Sequence, residues 1–221
     1  MKRSTILALG GASLMLAVAP AAALAAKVSV RIEGASRTLQ AAKTIQTPSG
    51  SITKFGAPAG ACPAASALGA LNTATHGRWK GKYYSSFSDY LITSILDETG
   101  NWGIWVDNKY STKGACEIKP HPGEQLLFAV DSLKKHEHPL GIIAPAKAKA
   151  GKVFKVKIVS YSDKGRATPV AGAVLHGGGG PDTLSDKHGI VLVASTPSKL
   201  TFIATDKGFI RSAATTVKVT K

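Results

Sequence analysis

Two cysteines, Cys62 and Cys116, are the residues whose type and spacing carry the clearest chemistry in this chain. They are the only thiols in 221 residues, so one intramolecular pairing exists. Whether they pair depends on the compartment, since thiols oxidise outside the cytosol and stay reduced within it. The N-terminus answers that question. Met1-Lys2-Arg3 supplies positive charge, an apolar run extends from Ile6 through Val18, and Ala23-Leu24-Ala25 has the small-x-small pattern of a processing site. Residues 1–25 are therefore read as a signal peptide, cleaved or retained as an anchor. A secreted or envelope-associated chain with a Cys62–Cys116 disulfide is expected.

Catalytic and metal-binding patterns are sparse. The sequence has no Gly-x-Ser-x-Gly, no His-Glu-x-x-His and no zinc-spaced Cys/His cluster. Asp97 and Glu98 are adjacent, so on a strand they diverge to opposite faces and make a poor hydrolytic pair. His136-x-His138, with Glu137 between, puts two imidazoles on one face of an extended segment. Two imidazoles alone are an incomplete ligand set, and no metal site is expected. The reading is of a protein that is not an enzyme.

Aromatic residues suggest binding instead. Trp79, Tyr83, Tyr84, Phe87, Tyr90, Trp102 and Trp105 include all three tryptophans. Flat apolar rings beside polar groups suit a sugar or another flat ligand, whereas the same rings would equally fill a core. Trp102 and Trp105 stand an odd number of residues apart, so a straight strand points them to opposite faces. Trp79, Tyr83, Tyr84, Trp102 and Trp105 are the candidate ligand-binding residues, and the face away from the helix is where a platform is expected.

Charge narrows the partners. The chain has 28 basic and 13 acidic residues, +15 overall. Losing Lys2 and Arg3 with the leader leaves 26 basic residues against 13, or +13. Such a chain is drawn to anionic envelope polymers or acidic surface glycans. Its lysines are scattered, which argues against sequence-specific nucleic-acid binding. After signal removal no transmembrane span is expected.

The elements that must position these residues fall into two groups. From 27 to 131, Val28, Val30 and Ile32 alternate with polar residues, as in a half-buried strand. A second strand is read over Leu39–Thr47 and a helix over Ala64–Thr75, with Pro63 in its first turn. Further strands follow at Tyr90–Leu96, Gly103–Asn108 and Gln125–Val130, with Asp107-Asn108 as a tight turn. Residues 132–150 change in composition and read as a linker. From 151 to 221 only short strands occur, at Val153–Val159, Val170–Leu175, Gly189–Ala194, Lys199–Thr205 and Ala213–Val219. They are separated by turns such as Asp163-Lys164-Gly165 and the glycine run 177–180. The expected fold class is mainly β with one helix: an α+β module followed by an all-β sandwich.

Val28–Gly34, the Cys62 segment, Gly77-Arg78-Trp79, Trp102-Gly103-Ile104-Trp105-Val106-Asp107-Asn108-Lys109 and Pro122-Gly123-Glu124-Gln125-Leu126-Leu127-Phe128 together resemble a known family. It is the secreted bacterial β-grasp domain similar to the C-terminal domain of transcobalamin and intrinsic factor. The resemblance spans residues 27–131. It departs from the pattern at Asp107-Asn108-Lys109, where Asn-Gly is usual, and at Gln125. It implies a β-grasp fold and, more distantly, one wall of a corrinoid site. The helical domain that forms the other wall in transcobalamin has no counterpart here, so no ligand contact carries over and no resident cofactor is expected. Pro169–Val174, Ser185–Leu192 and Ala204–Ser212 resemble immunoglobulin-like or carboxypeptidase-regulatory-like sandwiches, which implies a presenting domain. Two functions follow as expectations. One is an exported, non-catalytic binding or adhesion protein of the cell envelope. The alternative is a carrier of a flat small ligand such as a corrinoid.

Overall fold

A computed structural model describes residues 25–132 and 136–221; the expected signal peptide lies almost wholly outside these residues. Over the described residues the chain is mainly β with one short helix, Ala67–Ala74. Its apolar side chains form two separate large cores, one within residues 26–128 and one within residues 140–219.

The first core is built on a mixed five-stranded sheet. Its strands, in spatial order, are Thr38–Gln46, Lys27–Glu33, Gln125–Val130, Trp102–Val106 and Lys109–Tyr110. Lys27–Glu33 and Gln125–Val130 run parallel, with Val30 opposite Leu126 and Ile32 opposite Phe128. Period-two alternation separates the faces. Val28, Val30, Ile32, Leu126, Phe128 and Ile104 pack with Leu68 and Leu71 of the helix. Arg31, Glu33, Leu127, Ala129 and Trp105 lie on the other face and are also buried. A sheet buried on both faces needs a second cover, and the C-terminal half supplies it.

The helix begins three residues later than the sequence suggests. Cys62–Pro63 pairs as a short strand with Ser51–Ile52, and Ala64 N–H donates to the carbonyl of Gly50. Ser66 is the cap, its hydroxyl accepting from Gly69 N–H at 3.3 Å. Two further N-terminal donors are satisfied outside the helix: Ala67 N–H bonds the Ile118 carbonyl at 2.8 Å and Leu68 N–H bonds that of Ala115 at 3.0 Å. The Cys62–Cys116 disulfide joins the same two segments, with its α-carbons 5.1 Å apart. Gly69 lets this helix start sit tightly, because a β-carbon there would lie 1.7 Å from the Ala64 carbonyl oxygen. Gly69→Ala is therefore expected to destabilise by about 1–3 kcal/mol in denaturant unfolding, despite the gain of about 1 kcal/mol that alanine brings to an unhindered helix.

A separate three-stranded sheet, Trp79–Tyr84, Asp89–Ile95 and Glu98–Thr99, flanks this core. The hairpin at Asp107-Asn108 has positive φ at both residues, 48° and 63°, the geometry of a two-residue turn that joins twisted strands. Leu96-Asp97 adopts the same form, although Leu96 carries none of the usual turn chemistry.

The C-terminal half is two facing five-stranded sheets. One holds Ala167–Pro169, Phe154–Tyr161, His138–Ile143 and Phe209–Ile210, with Ile190–Val193 also paired to Phe154–Tyr161. The other holds Lys147–Lys149, Thr215–Thr220, Ser198–Thr205, Val174–Gly177 and Thr183–Leu184. The segment 132–150, expected as a linker, instead contributes two of these strands. Leu140 faces the second core and is 1% exposed, and its burial outweighs the polar, proline-bearing composition that marks the segment as a connection.

Candidate functional site

The candidate aromatic residues separate into three environments. Trp79 is core: its indole N–H donates to Asn72 Oδ1 at 2.9 Å, and its ring meets Phe55 and Tyr90 edge-on, each at 5.3 Å. Lys54 Nζ stands 4.8 Å from the Trp79 ring, and burial pushes that ammonium below its ordinary pKa. Tyr83 is half-buried against Tyr90. Trp79 offers no free face of the kind a ligand platform requires, and Tyr83 is partly covered.

Trp102 and Trp105 point to opposite faces, as their odd spacing requires. Trp102 packs against the first core, whereas Trp105 is fully buried on the other face. The face away from the helix, expected as a platform, is closed. Ile210 from the C-terminal half packs with Trp105, Leu127 and Ala129. Arg211 Nη1 donates to Glu33 Oε2 at 3.0 Å, and Arg31 Nη1 donates to Glu33 Oε1 at 2.8 Å and to the Arg211 carbonyl at 2.9 Å. Burial lowers the Arg31 pKa from its ordinary value, and Glu33 opposes that shift. Thr38 Oγ1 donates to Glu33 as well, at 2.9 Å. Glu33, 1% exposed, is thus the shared counter-charge of two arginines from different halves.

Tyr84 lies at the surface that remains open. The hairpin joining Trp79–Tyr84 to Asp89–Ile95 carries a groove of about 390 Å³, lined by Tyr84, Phe87, Tyr90, Leu91, Thr112 and Glu117 among others. Phe87 is 72% exposed and Leu91 53%, and Lys82 Nζ lies 5.0 Å from the Tyr84 ring. A second recess shares Tyr90, Leu91 and Thr112 and extends the strip to Trp102 and Tyr110. Of the five expected residues, Tyr84 and Trp102 therefore border one surface.

Asp89 anchors the groove floor. Its carboxylate accepts Tyr90 N–H at 2.7 Å and Cys116 N–H at 3.0 Å. Burial raises its pKa above the usual aspartate value, with these backbone donors opposing. Gly114 leaves room for that carboxylate, since a β-carbon there would come within 2.1 Å of Asp89 Oδ2. The disulfide loop and the aromatic hairpin are thereby held together.

A third constellation sits where the halves meet. His136 stacks on Trp105 with ring centroids 5.6 Å apart and planes 12° from parallel, and Tyr110 meets it edge-on at 4.2 Å. His138 lies edge-on to His136 at 5.5 Å. Asp163, read from sequence only as a turn residue, reaches both imidazoles, and its carbonyl accepts Tyr110 N–H at 3.0 Å. Glu137, between the two histidines in sequence, donates its backbone N–H to Asp131 Oδ1 at 2.9 Å.

No known protein-family model matches the chain, and no curated protein matches its sequence.

Proposed function

We propose that this protein is an exported, non-catalytic binding or adhesion protein of the cell envelope. A β-grasp recognition module, residues 27–131, is presented by an immunoglobulin-like sandwich, and its partner is an anionic envelope polymer or acidic surface glycan. The β-grasp reading is supported by the parallel central pair and the single helix across one sheet face. The observation that carries the function is the exposed strip of Tyr84, Phe87 and Leu91 with Lys82 beside it. Side chains this apolar are normally withdrawn from water, and a contiguous set rimmed by a cation suits flat sugar faces carrying negative charge. The net charge, +15 for the full chain and +13 without Lys2 and Arg3, adds long-range attraction. Among the described residues no helix is long and apolar enough to cross a membrane.

The test is retention on isolated envelope material across a salt series. The unmodified protein is expected to bind at low ionic strength and to elute toward 1 M salt, where the screening length falls to about 3 Å. A Phe87→Ser/Leu91→Ser double variant should bind at least tenfold more weakly at every salt concentration, given roughly 1.5 kcal/mol or more for each apolar side chain withdrawn from water. Equal retention of the variant would remove the strip from the account. The carrier alternative retains Tyr84 and Trp102 but loses Trp105, which is enclosed. An absorbance titration with a corrinoid, showing saturable spectral change, would favour it.

A further inference from the structure

Three metal-ligand atoms from two parts of the fold converge at the junction of the halves. His136 Nε2 lies 3.1 Å and His138 Nδ1 3.5 Å from the same oxygen, Asp163 Oδ1, and the three atoms lie within 4.8 Å of one another. A tetrahedral zinc ion with donors at about 2.0–2.2 Å separates neighbouring donors by roughly 3.3 Å, which both contacts to Asp163 Oδ1 bracket. Proximity here is not hydrogen bonding. Both ring nitrogens are screened from solvent, yet neither has a hydrogen-bond partner of acceptable direction.

The remainder of the His136 ring is committed to orientation. Its Nδ1 lies 2.5 Å from Asp131 Oδ2. Asp131 is buried at 7% exposure, and it is fixed in turn by Glu137 N–H on Oδ1 and by its own N–H on the Asn101 carbonyl at 2.8 Å. An imidazole that gives its Nδ1 proton to a buried carboxylate turns the Nε2 lone pair outward, the arrangement that supports metal-bound histidines. Trp105 against one face of the ring and Tyr110 at its edge hold its plane.

We propose that His136, His138 and Asp163 bind a divalent transition-metal ion, with Asp131 as the positioning residue and solvent completing the coordination. Two imidazoles and one carboxylate favour zinc, copper or nickel over the all-oxygen sites that calcium and magnesium prefer; both contacts to Asp163 match zinc, and the two imidazoles close on the ion from within 4.8 Å. The ion ties the chain just after the first sheet to a turn of the C-terminal half, so it fixes the two halves relative to each other. The metal ligands are none of the strip residues Tyr84, Phe87 and Leu91, although Tyr110 borders both places.

Titration calorimetry with zinc on the untagged full chain tests the assignment, and one ion per chain with a raised melting temperature is expected. His138→Ala and Asp163→Asn alter side chains 38% and 56% exposed, so both variants should fold, and each should weaken zinc at least tenfold. Asp131→Asn should weaken it about 10–100-fold. His176→Ala, which removes a histidine paired with Asp182 elsewhere, should leave binding unchanged. Cobalt added to the unmutated protein should give visible d–d bands of a nitrogen/oxygen site, a readout needing no variant. Absence of saturable zinc binding, absence of those bands, or unchanged affinity in both His138→Ala and Asp163→Asn overturns the proposal.

Discussion

Opening the Cys62–Cys116 bond should lower the stability of the N-terminal half by about 4 kcal/mol. The figure is the loop-closure entropy released when a cross-link between residues 54 apart is removed. Its structural consequence is local before it is global. The disulfide, the Ala67 and Leu68 amide bonds to Ile118 and Ala115, and the Asp89 bond to Cys116 all join the helix start and the groove floor to one loop. A Cys62→Ser/Cys116→Ser variant is therefore expected to melt about 10 °C or more below the oxidised protein, and to lose protease resistance first within residues 111–118. Thermal unfolding with and without reductant measures the effect. A midpoint unmoved by reductant, or two reactive thiols titrating in the native protein, would contradict it.

Glu33→Ala should be as damaging, for an electrostatic reason. It leaves Arg31 and Arg211 packed at a buried junction without their common counter-ion, a situation that typically costs about 3–5 kcal/mol. Because Glu33 is shielded from solvent, added salt should restore little. Replacing the whole group, as Arg31→Met/Glu33→Leu/Arg211→Met, should come much closer to wild-type stability, since desolvation of three charges disappears together with their attraction. Urea unfolding of the single and triple variants distinguishes a charge effect from a packing effect. A single variant no weaker than the triple would show that Glu33 does not serve as the counter-charge.

What could be read in advance follows from where the information lies. Strand alternation in Val28–Ile32 and the turn chemistry of Asp107-Asn108 are local, and the structure has both. The odd spacing of Trp102 and Trp105 correctly separates their faces, but it cannot reveal what covers the second one. Trp105 is enclosed by Ile210 and His136, residues 105 and 31 positions away. The strand Trp79–Tyr84 is missed because Lys80, Gly81 and Lys82 give it little apolar character, and pairing with Asp89–Ile95 fixes it. Arg31 and Glu33 share a strand face, and opposite charges on a sheet so apolar on its other side were a signal of a polar, covered junction. Asp163 had no such signal, because its role depends on how the Ser162–Gly165 turn folds back toward Tyr110.

The parallel pairing of Lys27–Glu33 with Gln125–Val130 bears on how the chain is made. A strand that waits nearly a hundred residues for its parallel neighbour gives the N-terminal sheet a high contact order, and such topologies assemble slowly. The same holds downstream, where Lys147–Lys149 finds its partner only in Thr215–Thr220. During synthesis neither sheet can close until its late strand has emerged, so tertiary assembly is deferred until most of the chain has been made.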